Sequence, residues 1–331
     1  MKARAFLGRV NSDGSDYLER IRAGLDFVRF GEGLPAQPRV FIKPNLTFPS
    51  YRPGVMTSPE AVEAAIVALQ DYTPHIWVGD SDSGGYNPFA MEDVYAETGI
   101  NQFAARHGVQ VVNLSGLERV GISFRGRGRE MQLDLPRLLV EEIDVLVTMP
   151  VPKVHTNTGV SLTFKNQWGC IPEPNDRLRL HPFFKETVVA VNQAVKAKYA
   201  IIDGRFGLNR SGPMKGDEVR LGWLAVTDDI GAGARMACEL MQVELESIAH
   251  LRYARSLGLV PALADIECSD SLEGYLGPRF YMKRIPTDYP GLLAFRSRGL
   301  AHLAYFSRLA GPLHRILYRF REPFYDYSKG R

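Results

Sequence analysis

Short runs rich in Val, Ile and Leu alternate with amphipathic stretches along roughly the first 260 residues. Strands are expected at Ala3–Leu7, Arg39–Ile42, His75–Val78, Val109–Leu114, Val145–Thr148 and Ala200–Ile202. Several of these runs are apolar throughout, as in strands covered on both faces. Helical spacing is expected over Tyr17–Phe30, Pro59–Gln70, Ala90–Gly99, Asn101–His107 and Phe184–Lys196. Thr57-Ser58-Pro59-Glu60 is a helix start, with proline in the first turn and an acid beside it. The alternation predicts an α/β fold: a doubly wound, mostly parallel sheet with helices on both faces. Gly121–Leu135 alternates apolar and basic residues and reads as a peripheral hairpin. Asp228–Leu240 reads as a loop feeding a helix of small residues.

The pattern changes near residue 262. Beyond it, Leu300, Leu303, Leu309, Leu313, Leu317 and Phe320 fall close to helical spacing, and Gly311-Pro312 must break or kink the run. Two short helices are expected there. The division predicted is an α/β catalytic domain over 1–262 and a basic, aromatic, helical C-terminal extension over 263–331.

Composition sharpens this in three ways. Of the 331 residues 45% are hydrophobic, enough for a sizeable core. The net charge of +3 is uneven: residues 281–331 hold ten Lys or Arg against three acids, so the rest of the chain is mildly acidic. A basic tail behind an acidic body points to a local surface or partner, not to nucleic-acid binding. The three cysteines, Cys170, Cys238 and Cys268, are scattered and form no CxxC pair, which excludes a zinc ribbon or an iron–sulfur cluster by motif and argues for a reducing compartment. The N-terminus MKARAFLGRV does not read as a signal peptide, and no window reaches the roughly 18 apolar residues of a membrane span. A cytoplasmic protein is expected, with peripheral membrane contact as an alternative.

In doubly wound sheets ligands lie outside the carboxyl ends of the strands. Polar clusters follow four apolar runs at that position. VFI leads into Lys43, Asn45 and Thr47; a lysine there can bind a carboxylate or phosphate, or be a solvated loop lysine. IWVG leads into GDSDSGGYN, where Asp80 and Asp82 can hold a hard cation such as Mg²⁺ and Gly84-Gly85 can offer backbone N–H groups to an anion. Capping and turn formation explain the same residues. VLVTMP leads into PVPKVHTNTGVSLTFKNQWGCIPEPNDRLRLH, with Lys153, His155, Asn157, Lys165, Asn166 and His181. Histidine moves protons or ligates metal near neutral pH, and a lysine among apolar residues can act as a base. AIID leads from Asp203 into the Gly-rich GRFGLNRSGP, which suits close approach to a ligand. There is no GxGxxG or GxxxxGKT, and no GxSxG elbow.

The strings FIKPNLT, VGDSDSGGYN, MPVPKVHTNTGVSLTFKNQWG, IIDGRFGLNRSGP and LAVTDDIGAGARMACELM resemble, in order and spacing, the family known as domain of unknown function 362, over roughly residues 38–260. Some members carry ferredoxin-like cysteine clusters that this chain lacks. More distantly, the segment is similar to the catalytic domain of nickel-pincer lactate racemases. That similarity implies His155 as a catalytic or metal-side histidine, Lys165 as the cofactor-anchoring lysine and His181 as a further ligand-side histidine. The racemases carry an essential histidine in the loop that corresponds to GDSDSGGYN, where this chain has none, which argues against the pincer cofactor.

The function expected is an enzyme acting on a small anionic substrate, carboxylate- or phosphate-bearing, by Lys/His acid–base chemistry of lyase or isomerase type, with a divalent metal as an option. Lys165, His155, His181 and Lys153 would be catalytic, Lys43, Asn45, Asn157, Asn166 and Asp203 would bind substrate, and Asp80 and Asp82 would hold the metal. The alternative is a ligand- or metal-binding accessory protein of a redox or biosynthetic pathway. For residues 296–331 the expectations are packing onto the catalytic domain, with cover for its cleft, or adsorption to an anionic membrane or a partner protein.

Overall fold

The structure, a computed structural model, describes residues 2–83 and 89–320. The Gly84-Gly85 pair and the basic residues Arg321, Lys329 and Arg331 lie outside the described residues.

In chain order the elements begin with β1 (Ala3–Arg9), α1 (Tyr17–Phe27), β2 (Val40–Pro44), α2 (Pro59–Gln70), β3 (Ile76–Asp80), α3 (Met91–Glu97), α4 (Ile100–His107) and β4 (Gln110–Asn113). A peripheral hairpin, β5 (Arg119–Gly126) and β6 (Arg129–Pro136), precedes β7 (Val145–Met149), β8 (Lys153–His155), β9 (Gly159–Ser161), α5 (Thr163–Asn166), α6 (Pro174–Leu180) and α7 (Phe184–Ala194). The chain continues through β10 (Ala197–Asn209), β11 (Asp217–Thr227), α8 (Ile230–Leu240), α9 (Ala249–Ser256) and β12 (Ile266–Cys268). It ends in α10 (Tyr289–Ala294), α11 (Arg298–Tyr305) and α12 (Ala310–Leu317).

The main sheet runs β12-β1-β11-β10-β7-β2-β3-β4, with β8 and β9 attached beside β10. From β10 to β4 the pairs along this path are parallel, as the βα alternation requires. Period-two alternation divides the side chains between two cores. Val40 and Ile42 of β2 join α1 and α2 on one face, while Phe41 faces the other core. Val145, Val147 and Met149 of β7 share the first face, and Leu146 the second. A sheet buried on both sides is what the unbroken apolar runs call for.

The expected elements appear with shifted ends. Helix α1 stops at Phe27, and Arg29 takes a positive φ of 52° where the chain turns back toward the sheet. Two short C-terminal helices are present, but they part between Tyr305 and Ala310, not at Gly311-Pro312. Pro312 falls in the first turn of α12, where its missing N–H is one the helix leaves unpaired anyway.

The larger correction concerns β10 and β11. Strand β10 continues through GRFGLN instead of ending at Ile202, and β11 returns antiparallel beside it. Gly204 is there for packing: a Cβ at that position would lie 2.3 Å from the Trp223 ring on β11. The Gly-rich stretch read as a ligand loop is thus mostly strand.

Candidate active site

Strands β2, β3 and β7 are parallel neighbours, so Lys43 and Asp80 emerge on the same edge as the segment after Met149. Lys43, only 1% exposed, forms an ion pair with Asp80 at 2.7 Å and donates to its own Pro44 carbonyl. Asp80 also accepts from the Leu46 N–H at 3.2 Å and the Ser81 N–H at 2.8 Å. A buried charge pair with its remaining lone pairs bonded meets the condition for keeping ions out of water.

The FKNQWG segment closes over this pair. It forms α5 and a 3₁₀ turn whose amides lock onto the strand ends. Asn166 Nδ2 donates to the Lys43 carbonyl at 2.8 Å and to Thr148 Oγ1 at 2.9 Å. Thr148 in turn donates to Gln167 Oε1 at 2.7 Å, and Gln167 Nε2 donates to Asn192 on α7. Gly169 follows, so close that a Cβ would sit 2.5 Å from Asp80 Oδ1 and 2.9 Å from Lys43 Nζ.

A cavity of about 250 Å³ opens beside the pair. Lys43, Asn45, Asp80, Lys153, His155, Lys165, Asn166 and His181 all line it, so eight of the residues singled out from sequence meet at one place. Lys153 is buried and donates to Asn45 Oδ1 and, at 2.6 Å, to the Val55 carbonyl. Burial, then the Lys165 charge, lowers its pKa to about 7. Lys165 keeps partial exposure toward the cavity, and no hydrogen bond or ion pair within the described residues holds its ammonium; the Phe184 ring lies 5.9 Å from Nζ. Burial, Arg177 and Lys43 lower its pKa to about 8.

The histidines are neutral. His155 Nδ1 accepts the Asn157 N–H at 3.1 Å, which leaves the ring proton on Nε2. Desolvation first, then Lys165 and His181, pushes its pKa well below the usual value. His181 is stacked on Phe295 at 4.0 Å between ring centroids, with Phe184 at 5.6 Å and Trp168 at 5.3 Å; burial and Lys165 lower its pKa to about 3.

Three residues expected here fall elsewhere. Asp203 is buried among Tyr17 Oη at 2.5 Å, Ser58 Oγ at 2.5 Å and the Ser58 N–H at 2.8 Å, tying α1 and the start of α2 to the sheet. Asp82 accepts from the Met91 N–H at the start of α3 and from Asn113 Nδ2, so the capping reading describes it. Asn157 is exposed beyond His155 and contributes its backbone to the ring. Among the described residues, no group of three His, Cys, Asp or Glu side chains is placed to hold a metal ion. With Nδ1 accepting a backbone N–H and Nε2 protonated, His155 as placed has no lone pair to offer a metal, so it does not fit the metal-side role that the racemase resemblance implies for it.

Two residues went unnoticed in the sequence. Arg177 lines the cavity and donates to the Asp82 carbonyl. Pro174, Arg177, Leu178 and His181 recur at helical spacing, and that spacing was the available signal. His250 is buried against the edge of Phe184, with no partner for Nε2 among the described residues and a pKa lowered by burial to about 3.

The model of the family described as domain of unknown function (DUF362) matches residues 40–239, which span every cavity residue named above. A "Thylakoid-associated protein sll1697" of Synechocystis sp. is 27% identical over 245 residues, covering 69% of this chain and 70% of that protein. Among solved structures, the lactate racemase apoprotein of Thermoanaerobacterium thermosaccharolyticum is similar with a TM-score of 0.45 and 13% identity, over 72% of this chain and 56% of that one. A Thermotoga maritima protein from a structural genomics programme gives a TM-score of 0.42 and 16% identity, over 68% and 59%. The chain spans less than two thirds of either solved chain.

Proposed function

This chain belongs to the DUF362 family, and we propose that it is an enzyme that binds a small carboxylate- or phosphate-bearing molecule and moves a proton on it. The observation that carries this reading is Lys165: an ammonium facing a cavity with no acceptor among the described residues, its pKa brought down to about 8. Lys43, Lys153, Lys165 and Arg177 converge on the space, and among the described residues only Asp80 in the lining opposes them. Asp80 is already matched by Lys43 at 2.7 Å. An anion is the partner this surplus of positive charge lacks.

The chemistry follows from the protonation states. A lysine near neutrality is an effective base at physiological pH. Its Nζ lone pair takes the proton from a carbon next to a carbonyl, the C–H electrons form the enolate double bond, and negative charge passes to the carbonyl oxygen. The fixed Nε2–H of His155 donates to that oxygen, as neutral imidazole can. Asn166 Oδ1, buried and without a donor among the described residues, is available to a substrate hydroxyl. Return of the proton gives an isomerase, and loss of a group from the next carbon gives a lyase. The apolar walls, Trp168 and Leu178 among them, limit competing water.

Proton exchange tests this directly. Small 2-hydroxy and 2-oxo carboxylates, and their phosphate-bearing counterparts, are incubated with protein in D₂O and followed by NMR. At least one should exchange its α-hydrogen, and Lys165→Ala should reduce the rate by at least about a hundredfold, the usual share of a general base. Tight binding with no exchange anywhere in the panel would make the protein a binder of anions and remove the catalytic reading.

A further inference from the structure

The lysine-lined cavity does not end at His181. A second cavity of about 680 Å³ adjoins it, and His155, Leu178, His181, Pro213 and Met214 line both. Its far wall is the C-terminal extension: Leu293 from α10, Leu300 and Leu303 from α11, and Leu313 and Leu317 from α12. Phe295 stands at the junction, its ring stacked on His181. The volume lies in the range of roughly 300–1,000 Å³ that holds a small organic ligand.

The two spaces are opposite in chemistry. Three lysines and Arg177 line the first, whereas no lysine or arginine among the described residues lines the second. Around the outer space Leu293, Leu303, Leu313 and Ile316 are between 42% and 58% exposed, and Arg298 on α11, Arg315 on α12 and Arg308 in the turn between them are displayed to solvent. Apolar walls around an open space forgo contacts that a hydrocarbon would supply. A free short-chain acid would fill the first cavity and leave the second without purpose. A molecule with an anionic head and an apolar tail uses both, and the exposed arginines attract its head on approach.

We propose that the two cavities receive one molecule, an anionic amphiphile whose carboxylate or phosphate head meets Lys165 and Lys153 and whose single hydrocarbon chain lies beneath α10, α11 and α12. This inference rests on the anion-binding reading of the inner cavity. It assigns the extension the role of completing a tail site, and it places the atoms next to the head between His155 and His181.

The test is calorimetric titration of the full chain with two homologous series, each kept below its critical micelle concentration. One runs from acetate to dodecanoate, the other from inorganic phosphate to dodecyl phosphate. Affinity should rise roughly fourfold per methylene over several methylenes, then level off when the chamber is full. The series with the greater affinity at equal chain length identifies the head. Lys165→Ala should weaken every member by a similar factor. Ala304→Trp, which fills the chamber, and Leu313→Asp, at a half-exposed position on its wall, should flatten the chain-length dependence while inorganic phosphate still binds. Two chamber variants guard against a single one that fails to fold. If phosphate binds but the longer members bind no more tightly, the tail site is refuted and the anion site stands. If dodecanol binds as well as dodecyl phosphate and Lys165→Ala changes neither, the anion site itself is refuted. A chain-length dependence that survives both chamber variants also overturns the proposal.

Discussion

Lys153 and Lys165 occupy one cavity in different company, and their charge is the quantity to measure. Lys153 has acceptors in Asn45 and Val55 and faces Lys165, Asp80 and Lys43; Lys165 faces Arg177 and Lys43. Both lose affinity for the proton on folding, so both are charged below about 7 and discharge as pH rises through about 7 and about 8. Sulfate, a dianion across this range, should therefore bind most tightly near pH 6 and progressively less up to pH 9. A flat profile in a sulfate titration would mean that these lysines do not form the anion site. Placement after parallel strands located Lys43, Asp80, Lys153 and His155 from sequence, because strand ends share an edge. Asp203 misled by the same logic: it stands where the run Ala200–Ile202 ends, but β10 goes on to Asn209 and Asp203 turns inward to Tyr17 and Ser58. Which way an acid turns depends on partners 145 and 186 residues away, and no local pattern encodes them.

At the scale of elements, the segment from α5 to Gly169 shows how a short motif divides its labour. Asn166 and Gln167 fasten the segment, Trp168 walls the cavity, Lys165 faces into it and Gly169 admits the close approach to Lys43 and Asp80. Gly169→Ala should destabilise the protein by about 1–3 kcal/mol, the ordinary result of forcing one extra carbon into a packed place. The urea midpoint measures it, and sulfate affinity should fall with it as the ion pair is displaced. An unchanged midpoint would show that the loop relaxes freely and that the contact is incidental. The chemistry of this motif was visible in the sequence, but its fastening role was not, since it consists of bonds to β7 and α7. The β10–β11 pair was hidden for a related reason. The purpose of Gly204 is visible only once Trp223 is set opposite it.

For the whole molecule, the buried His155 and His250 and the half-buried His181 set a limit on the acid side. His155, His181 and His250 each have a pKa below the unfolded value of 6.5, so the folded protein resists protonation that the unfolded chain accepts. The stability they contribute is present above pH 6.5 and is lost as pH falls below it, for His181 and His250 down to about 3. Each can steepen the loss by up to about 1.4 kcal/mol per pH unit. His250→Leu, at a site where Nε2 has no partner, should flatten the fall measured by chemical unfolding between pH 6.5 and 5. An unchanged slope would mean that His250 titrates as freely as in the unfolded chain. The layered α/β plan of the molecule was legible from periodicity alone. The cover over its cleft was one of two readings, since amphipathic spacing does not say what the apolar face meets.

The position of β1 bears on how the chain is made. Its neighbours are β11, antiparallel, and β12, parallel. During synthesis β1 leaves the ribosome before either neighbour and must wait for residues 217–227, and then 266–268, before its backbone is paired. Meanwhile β2, β3, β4 and β7 can assemble as local parallel units. Ala5 and Leu7 stay in reach of chaperones, and of other nascent chains, until β11 has emerged. Strand β1 is thus made well before either neighbour and secured late, and a chain that stalls before Asp217 leaves it as an open edge.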